Sequence, residues 1–287
     1  ERLALARACL QIMVVALTVR MVGAIALGEG APFGPDGTGA QAAVTLGGHP
    51  YPLHIVMLEA FGADARALSM FCGALNCVLI GLWGRRVGLG IAGGWLAVFA
   101  PLSVMPGVLA AGDAPALTIA LLGIVLSTMG GWFGPIGGAV AALSVAVKPI
   151  ALPALVLLCA RPSSLVGAAA LLMVLRQFVT PLWNPMPQGG LLGTWWIASE
   201  GTPPDAPLDW AIGGLKTLVD VPQWAQLWWA LAAAFAVLKA DRRALVVTAV
   251  LPLLAVWMIA AMFGGRVEAR YFSAPMVAAL PFLGAVL

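Results

Sequence analysis

The chain reads as a series of unbroken apolar runs rather than as an alternation of polar and apolar positions. Ala8 to Leu27, Ala114 to Met129 and Ala244 to Met262 each hold at most one charge. They are roughly 16 to 20 residues long, the length at which an α-helix crosses about 30 Å of hydrocarbon. Only helices and closed barrels satisfy their backbone in lipid, and a barrel strand would alternate over about ten residues. The pattern therefore predicts an all-α, polytopic membrane fold. Further spans fall at 65–83, 88–105, 222–238 and 271–287. The first run is too long and wrongly flanked for a cleaved signal peptide.

Two polar, Gly- and Pro-rich segments interrupt the runs, one from Gly28 to about Ala63 and one from Pro181 to about Val221. The stretch from Trp132 to Ala160 is too long for one plain span and is interrupted at Lys148-Pro149. Proline there removes a backbone donor and leaves carbonyls that need a polar neighbour. If this stretch goes in and comes back as two short helices, then Arg2, Arg7, Arg85, Arg86, Arg161, Lys239, Arg242 and Arg243 all share the cytoplasmic side. That arrangement predicts about ten helical passes with both termini cytoplasmic and both long loops on the outer face. The whole chain, 1–287, is one transmembrane domain: a core over 1–180, the outer loop 181–221 and C-terminal spans over 222–287.

Composition agrees with the pattern. Hydrophobic residues make up 62% of the chain and charged ones 9%, with a mean hydropathy of +1.00, where a soluble domain is about half apolar and about a quarter charged. A net charge of +3 would suit a nucleic-acid partner, but the basic residues are scattered singly or in pairs between spans. They act as topology signals, and no nucleic acid is expected. Cys9, Cys72, Cys77 and Cys159 fall inside apolar runs without metal-ligand spacing and read as free thiols.

The topology gathers the candidate chemistry on the outer face. The first loop brings Glu29, Asp36, His49, Tyr51, His54, Glu59 and Asp64, and the loop after the third span brings Asp113. Asp36 lies in a Gly-Pro-Asp-Gly turn and reads either as an Asx-turn or as a functional acid. Asp113 precedes a span by one residue, with Pro115 just inside, and reads either as an N-cap or as a site residue. Residues 52–61 suit a short interfacial helix. His49 and His54 are five apart, off the i, i+4 spacing of a helical metal site. Arg266 and Arg270, in the last short loop, land outside, against the charge bias of the rest. They read either as interfacial anchors beside Tyr271 or as a phosphate clamp, since guanidinium forks bind phosphate bidentately.

From Pro35 to Leu126 the chain resembles the C-type membrane glycosyltransferases, which use polyprenyl-phosphate sugars and include mannosyltransferases and aminoarabinose transferases. The resemblance rests on an ordered set: Asp36, Gly48-His49-Pro50-Tyr51-Pro52, the short helix to Phe61, the span ending at Trp83, Gly84-Arg85-Arg86, Ala100-Pro101 and Gly112-Asp113-Ala114-Pro115. Val147-Lys148-Pro149 and Arg270-Tyr271-Phe272 look like that family's broken helix pair and its entry to a late span. The resemblance implies transfer of a sugar from a polyprenyl phosphate to an acceptor at the outer face of an inner membrane, with inversion. It makes Asp36 the general base, Asp113 an orienting acid, Arg266 and Arg270 the phosphate clamp with Lys148 in reserve, and His49, Tyr51 and Tyr271 further substrate contacts. No cofactor is required, and no motif supports a divalent metal. Trp183, Trp195, Trp196 and Trp210 would line a sugar or polyprenyl groove, or belong to the interfacial aromatic belt.

Two other classes stay open. A transporter would explain the broken helix at Lys148-Pro149, but the other half holds no matching break, and mid-span charges are scarce, with Arg20, Arg176 and Lys148 the main cases. A non-catalytic subunit that packs against other membrane proteins would explain the glycines at 81, 84, 88 and 90 and at 130, 131, 134, 137 and 138. Single Asp36, followed by Gly37 rather than a second acid, suits that class. The topology has its own test. Single cysteines placed at Ser163 and Ala240 should react with an impermeant thiol reagent only from the cytoplasmic side, and outer-face labelling of either would break the paired-helix reading.

Overall fold

The computed structural model of the chain describes residues 2–27, 52–62, 64–109, 112–178 and 272–286, and every regular element among them is helical. Helix α1 covers Arg2–Leu27. Ile12, Ala16, Arg20 and Ala24 recur every four residues, so they share one stripe of the helix, and all four are buried. Leu10, Val14, Met21, Val22 and Ile25 on its other faces are exposed. An exposed face this apolar suits lipid rather than water. Helix α2, Pro52–Ala60, is the short helix expected before the second span.

Helix α3, Ala65–Arg86, lies at the centre and packs against α1 and most of the later helices. Asp64, one of the acids counted on the outer face, caps its start by accepting from Arg66 N at 3.0 Å and Ala67 N at 2.9 Å. That places two of the first turn's orphan donors. Arg85 and Arg86 close its last turn, where the helix dipole favours cations.

The single span expected at 88–105 is two helices, α4 at Ala92–Phe99 and α5 at Pro101–Val108. Gly88 and Gly90 take positive φ of 85° and 79°, which turns the chain and delays the helix to Ala92. Ala100 is extended, with φ −64° and ψ 121°, because the ring of Pro101 disfavours helical geometry in the residue before it. Helix α6 covers Asp113–Ser127 and lies at 119° to α5. The stretch 132–160 is, as expected, two helical pieces meeting at Lys148: α7 at Phe133–Val147 and a 3-10 helix at Pro149–Ala160. The 3-10 piece, with Pro149 and Pro153 inside it, packs against α6 and α7. Helix α8 covers Pro162–Phe178, and α9, Ser273–Gly284, is buried along its whole length.

Among the described residues two helices, α1 and α3, are long and apolar enough to cross a membrane, or three if the bent α5–α6 pair is one span. Ten passes are not carried by the described residues. Pro101 and Pro149 cut two of the expected apolar runs into pieces of 8 to 15 residues, and about 20 are needed to cross. The last expected span, 271–287, is helical only over Ser273–Gly284. The expected spans at 222–238 and 244–262 and the loop at 181–221 lie outside the described residues.

Small residues let the helices approach backbone to backbone. A Cβ on Gly123 would run into Ala141, one on Gly137 into Ser127, and one on Gly138 into the Ser164 backbone. Likewise Gly84 faces the Gly90 carbonyl, and Gly93 faces the Pro281 backbone. Trp83 and Phe282 meet edge to face at 6.4 Å beside that contact. Several glycines that could have served an outside partner are thus consumed within the chain. Gly138→Val should therefore lower stability by about 2 kcal/mol or more, the upper range of overpacking, read as a fall in the unfolding midpoint in detergent. Ala170→Val, on an exposed part of α8, should change it little; equal shifts would mean the close approach is absent.

Candidate functional site

The only ion pair among the described residues is set by two helix breaks. At the start of α6, Gly112 takes the N-cap position without a side-chain cap bond, and Asp113 is the first helical residue. The capping reading of Asp113 is therefore corrected: its carboxylate leaves its own backbone and meets Lys148 Nζ at 2.8 Å. The contact is an ion pair by distance, without hydrogen-bond angles at Oδ1. Lys148 reaches it because Pro149 forces the residue before it out of the helix, to φ −165° and ψ 132°. Its N–H still donates to Ser144 O at 2.9 Å. The side-chain exposures are 5% for Lys148 and 0% for Asp113, so both charges are out of water. A carboxylate at a helix N-terminus is also favoured by the dipole.

His54 of α2 is buried beside this pair. A Cβ on Gly112 would stand 3.3 Å from His54 Cε1 and Nδ1 and 3.6 Å from Lys148 Cδ, so the imidazole, the Gly112 turn and the lysine stem lie together. Just inside, Thr118 Oγ lies 2.8 Å from Asn76 Oδ1 and 2.9 Å from the Ala114 carbonyl, and Asn76 Nδ2 donates to that carbonyl at 3.2 Å. Leu58, Ala65, Leu68, Cys72 and Ala114 form an apolar cluster between α2 and the N-terminal half of α3.

On the adjoining face of α3 is a second buried polar group. Arg20 is fully buried, and its Nη2 donates to the Ser103 carbonyl at 3.0 Å, to Ser103 Oγ at 3.2 Å and to Cys77 Sγ at 3.3 Å. Nη1 donates to the Ala16 carbonyl at 3.1 Å. Gly73 and Gly107 flank the guanidinium, since a Cβ on either would crowd Nε. No carboxylate pairs with it among the described residues, and Nε has no hydrogen-bond partner there. Cys72 and Asn76 face one polar group and Gly73 and Cys77 the other, so both lie at one level of α3.

Of the residues expected to form the site, Asp113 and Lys148 are brought together. Asp36, His49, Tyr51, Arg266, Arg270 and Tyr271 lie outside the described residues, as does Glu29. Asp64 is a helix cap, and Glu59 is exposed on α2. The free-thiol reading holds for Cys9, Cys72 and Cys77, with Cys9 half-exposed. Among the described residues no group of His, Cys, Asp and Glu could hold a metal ion. Sequence reasoning passed over Asn76, Ser103 and Thr118; a polar residue such as Asn76 inside an apolar span was the available signal. No protein-family model matches the chain, and neither a curated protein nor a solved structure does.

Removing one partner of a buried pair leaves the other charge uncompensated, which costs about 3–5 kcal/mol. Asp113→Asn and Lys148→Met should each lower the unfolding midpoint in detergent. The double variant, with no charge left at the pair, should be more stable than the sum of the two losses. Strict additivity would show that the two residues are not coupled.

Proposed function

We propose that the chain is a polytopic membrane glycosyltransferase of the C-type fold, moving a sugar from a polyprenyl-phosphate donor to an acceptor at the outer face of an inner membrane. The observation that supports this reading is the convergence at Asp113. Three parts of the ordered motif set meet there: the interfacial helix through His54, the Gly112-Asp113 turn and the Lys148-Pro149 break. On this reading the chain makes ten passes with both termini cytoplasmic. Asp36, as general base, takes the proton of the acceptor hydroxyl as its oxygen attacks the anomeric carbon, and the phosphate leaves with the bonding pair. Fixed cations stabilise the charge that develops on that phosphate. Arg266 and Arg270 supply them, with Lys148 nearby, His49, Tyr51 and Tyr271 line the donor site, and Asp113 orients the lysine. Direct displacement inverts the anomeric centre.

Transport is the second reading, favoured by a specific observation. The bundle has two proline-linked breaks, at Ala100-Pro101 and Lys148-Pro149, and a buried charged side chain lies near each. Broken helices with buried polar groups also mark carriers. The subunit reading loses support, because Gly84, Gly134, Gly137 and Gly138 are packed against this chain's own helices.

Proteoliposomes given a radiolabelled polyprenyl-phosphate sugar and a membrane extract as acceptor source separate these readings. The wild type should move label to the acceptor and release polyprenyl phosphate. Asp36→Asn should lose about a hundredfold or more in rate while expressing normally. Arg270→Lys should lose roughly tenfold, because a point charge replaces a planar fork. Label that enters the lumen still attached to its lipid would indicate transport, and no turnover of either kind would reject both activities.

A further inference from the structure

We propose that the exposed stripe of α1 headed by Arg7 binds an anionic phospholipid of the leaflet at that end of the helix, with the head-group phosphate on the Arg7 guanidinium and an acyl chain laid along the residues below it. The proposal rests on α1 crossing a membrane and not on the transferase reading.

Spacing is the first argument. Leu3, Leu10, Val14, Met21 and Ile25 are all exposed. Together with Arg7 and Thr18, which are exposed as well, they follow one another at intervals of three or four residues. Such a run forms one continuous stripe, here on the side away from the buried Ile12, Ala16, Arg20 and Ala24. The hydroxyl of Thr18 donates to the Val14 carbonyl at 2.9 Å, so nothing on the stripe below Arg7 seeks water. At 1.5 Å per residue, Leu10 to Met21 spans about 16 Å, close to one leaflet of a hydrocarbon layer about 30 Å thick. Arg7 stands nearly one turn above Leu10, at the depth of the head groups.

Charge is the second. Arg20 of α1 meets Gly73 and Cys77 of α3, while Cys9, earlier on α1, lies within the field of Arg85, later on α3. The two helices therefore run antiparallel, and the start of α1 shares one end of the bundle with the end of α3. That end carries Arg2, Arg7, Arg85 and Arg86, all of them exposed. The carboxylates among the described residues, Glu59, Asp64 and Asp113, belong to the other end: to α2, to the cap of α3 and to the turn beside His54. A rim of arginines above an apolar stripe matches a phospholipid with net negative charge, whose phosphate a guanidinium takes bidentately.

The same charge argues against a second copy as the occupant. Two copies inserted the same way about an axis normal to the membrane set α1 parallel to α1. Arg7 would then face Arg7 at one depth, a like-charge contact on a stripe that holds no acid to neutralise it. A lipid phosphate supplies the missing charge.

Displacement of a fluorescent phosphatidylglycerol from the purified full chain in non-ionic detergent would be measured with unlabelled phosphatidylglycerol and phosphatidylcholine of the same acyl chains. We expect the wild type to favour phosphatidylglycerol about tenfold, as for a charge-assisted contact. Higher ionic strength should shrink that preference, a reading that needs no variant. Arg7→Gln should abolish most of the preference, and Arg7→Lys should keep most of it because the charge remains. Arg86→Gln, which removes only part of the field, should cost less than Arg7→Gln. Leu10→Ser combined with Val14→Ser should weaken both lipids alike, since it takes away the chain contact and leaves the phosphate contact. Unfolding midpoints equal to wild type would show that the variants fold. Equal affinity of the wild type for the two lipids, or an unchanged preference in Arg7→Gln, overturns the proposal. A dimer without lipid preference that Arg7→Gln strengthens would give the stripe to a second copy, and a monomer that binds neither lipid would give it to the rest of the chain; either result also rejects the lipid site.

Discussion

Backbone groups released at a helix break inside an apolar bundle have no water to turn to, and the arrangement of this protein follows from that constraint. Pro101 and Pro149 each remove an amide donor and push the residue before them into extended geometry. Ala100 at the first break and Lys148 at the second are buried, although Phe99 and Pro101 beside Ala100 are exposed, and a buried cation lies near each break. Arg20 serves the helix after the first break through the Ser103 carbonyl and hydroxyl. Lys148 is itself the residue at the second. The two buried cations thus lie close to irregular backbone, while Asn76 and Thr118 pair with each other within regular helices.

Helix α3 makes the two arrangements into one system. Its residues at 72 and 76 face the Asp113 side and those at 73 and 77 face Arg20, one helical step apart. With Asp64 capping its start and helices on most sides, α3 is the rigid reference against which both breaks are fixed. A change at either polar group is therefore felt through the same packed wall.

Much of this was legible in the sequence. The all-helical class, the helix from Ala65, the helix beginning near residue 114 and the interruption at Lys148 all follow from apolar continuity and proline position. The break at Ala100-Pro101 did not, because its flanks are as apolar as a true span, and hydropathy weighs composition where a single missing amide decides. Asp113 was ambiguous for a related reason. A carboxylate beside Gly112 and Pro115 has a local use as a cap, and only the fold brings Lys148, 35 positions later by number, to 2.8 Å from it. Arg20 was visible as a charge within a span, but its partners were not, since they come from helices that sequence spacing does not align.

The guanidinium on α1 also bears on how such a chain is made. Its acceptors outside its own helix lie 57 and 83 residues further along, at Cys77 and Ser103. A bilayer-inserted α1 synthesised first would meet hydrocarbon with that charge unserved, at about 2.5–3.5 kcal/mol by insertion scales. Biogenesis would then be tied to timing: α1 settles only once α3 and α5 have left the ribosome, and until then it needs water, a lipid head group or the insertion machinery beside it.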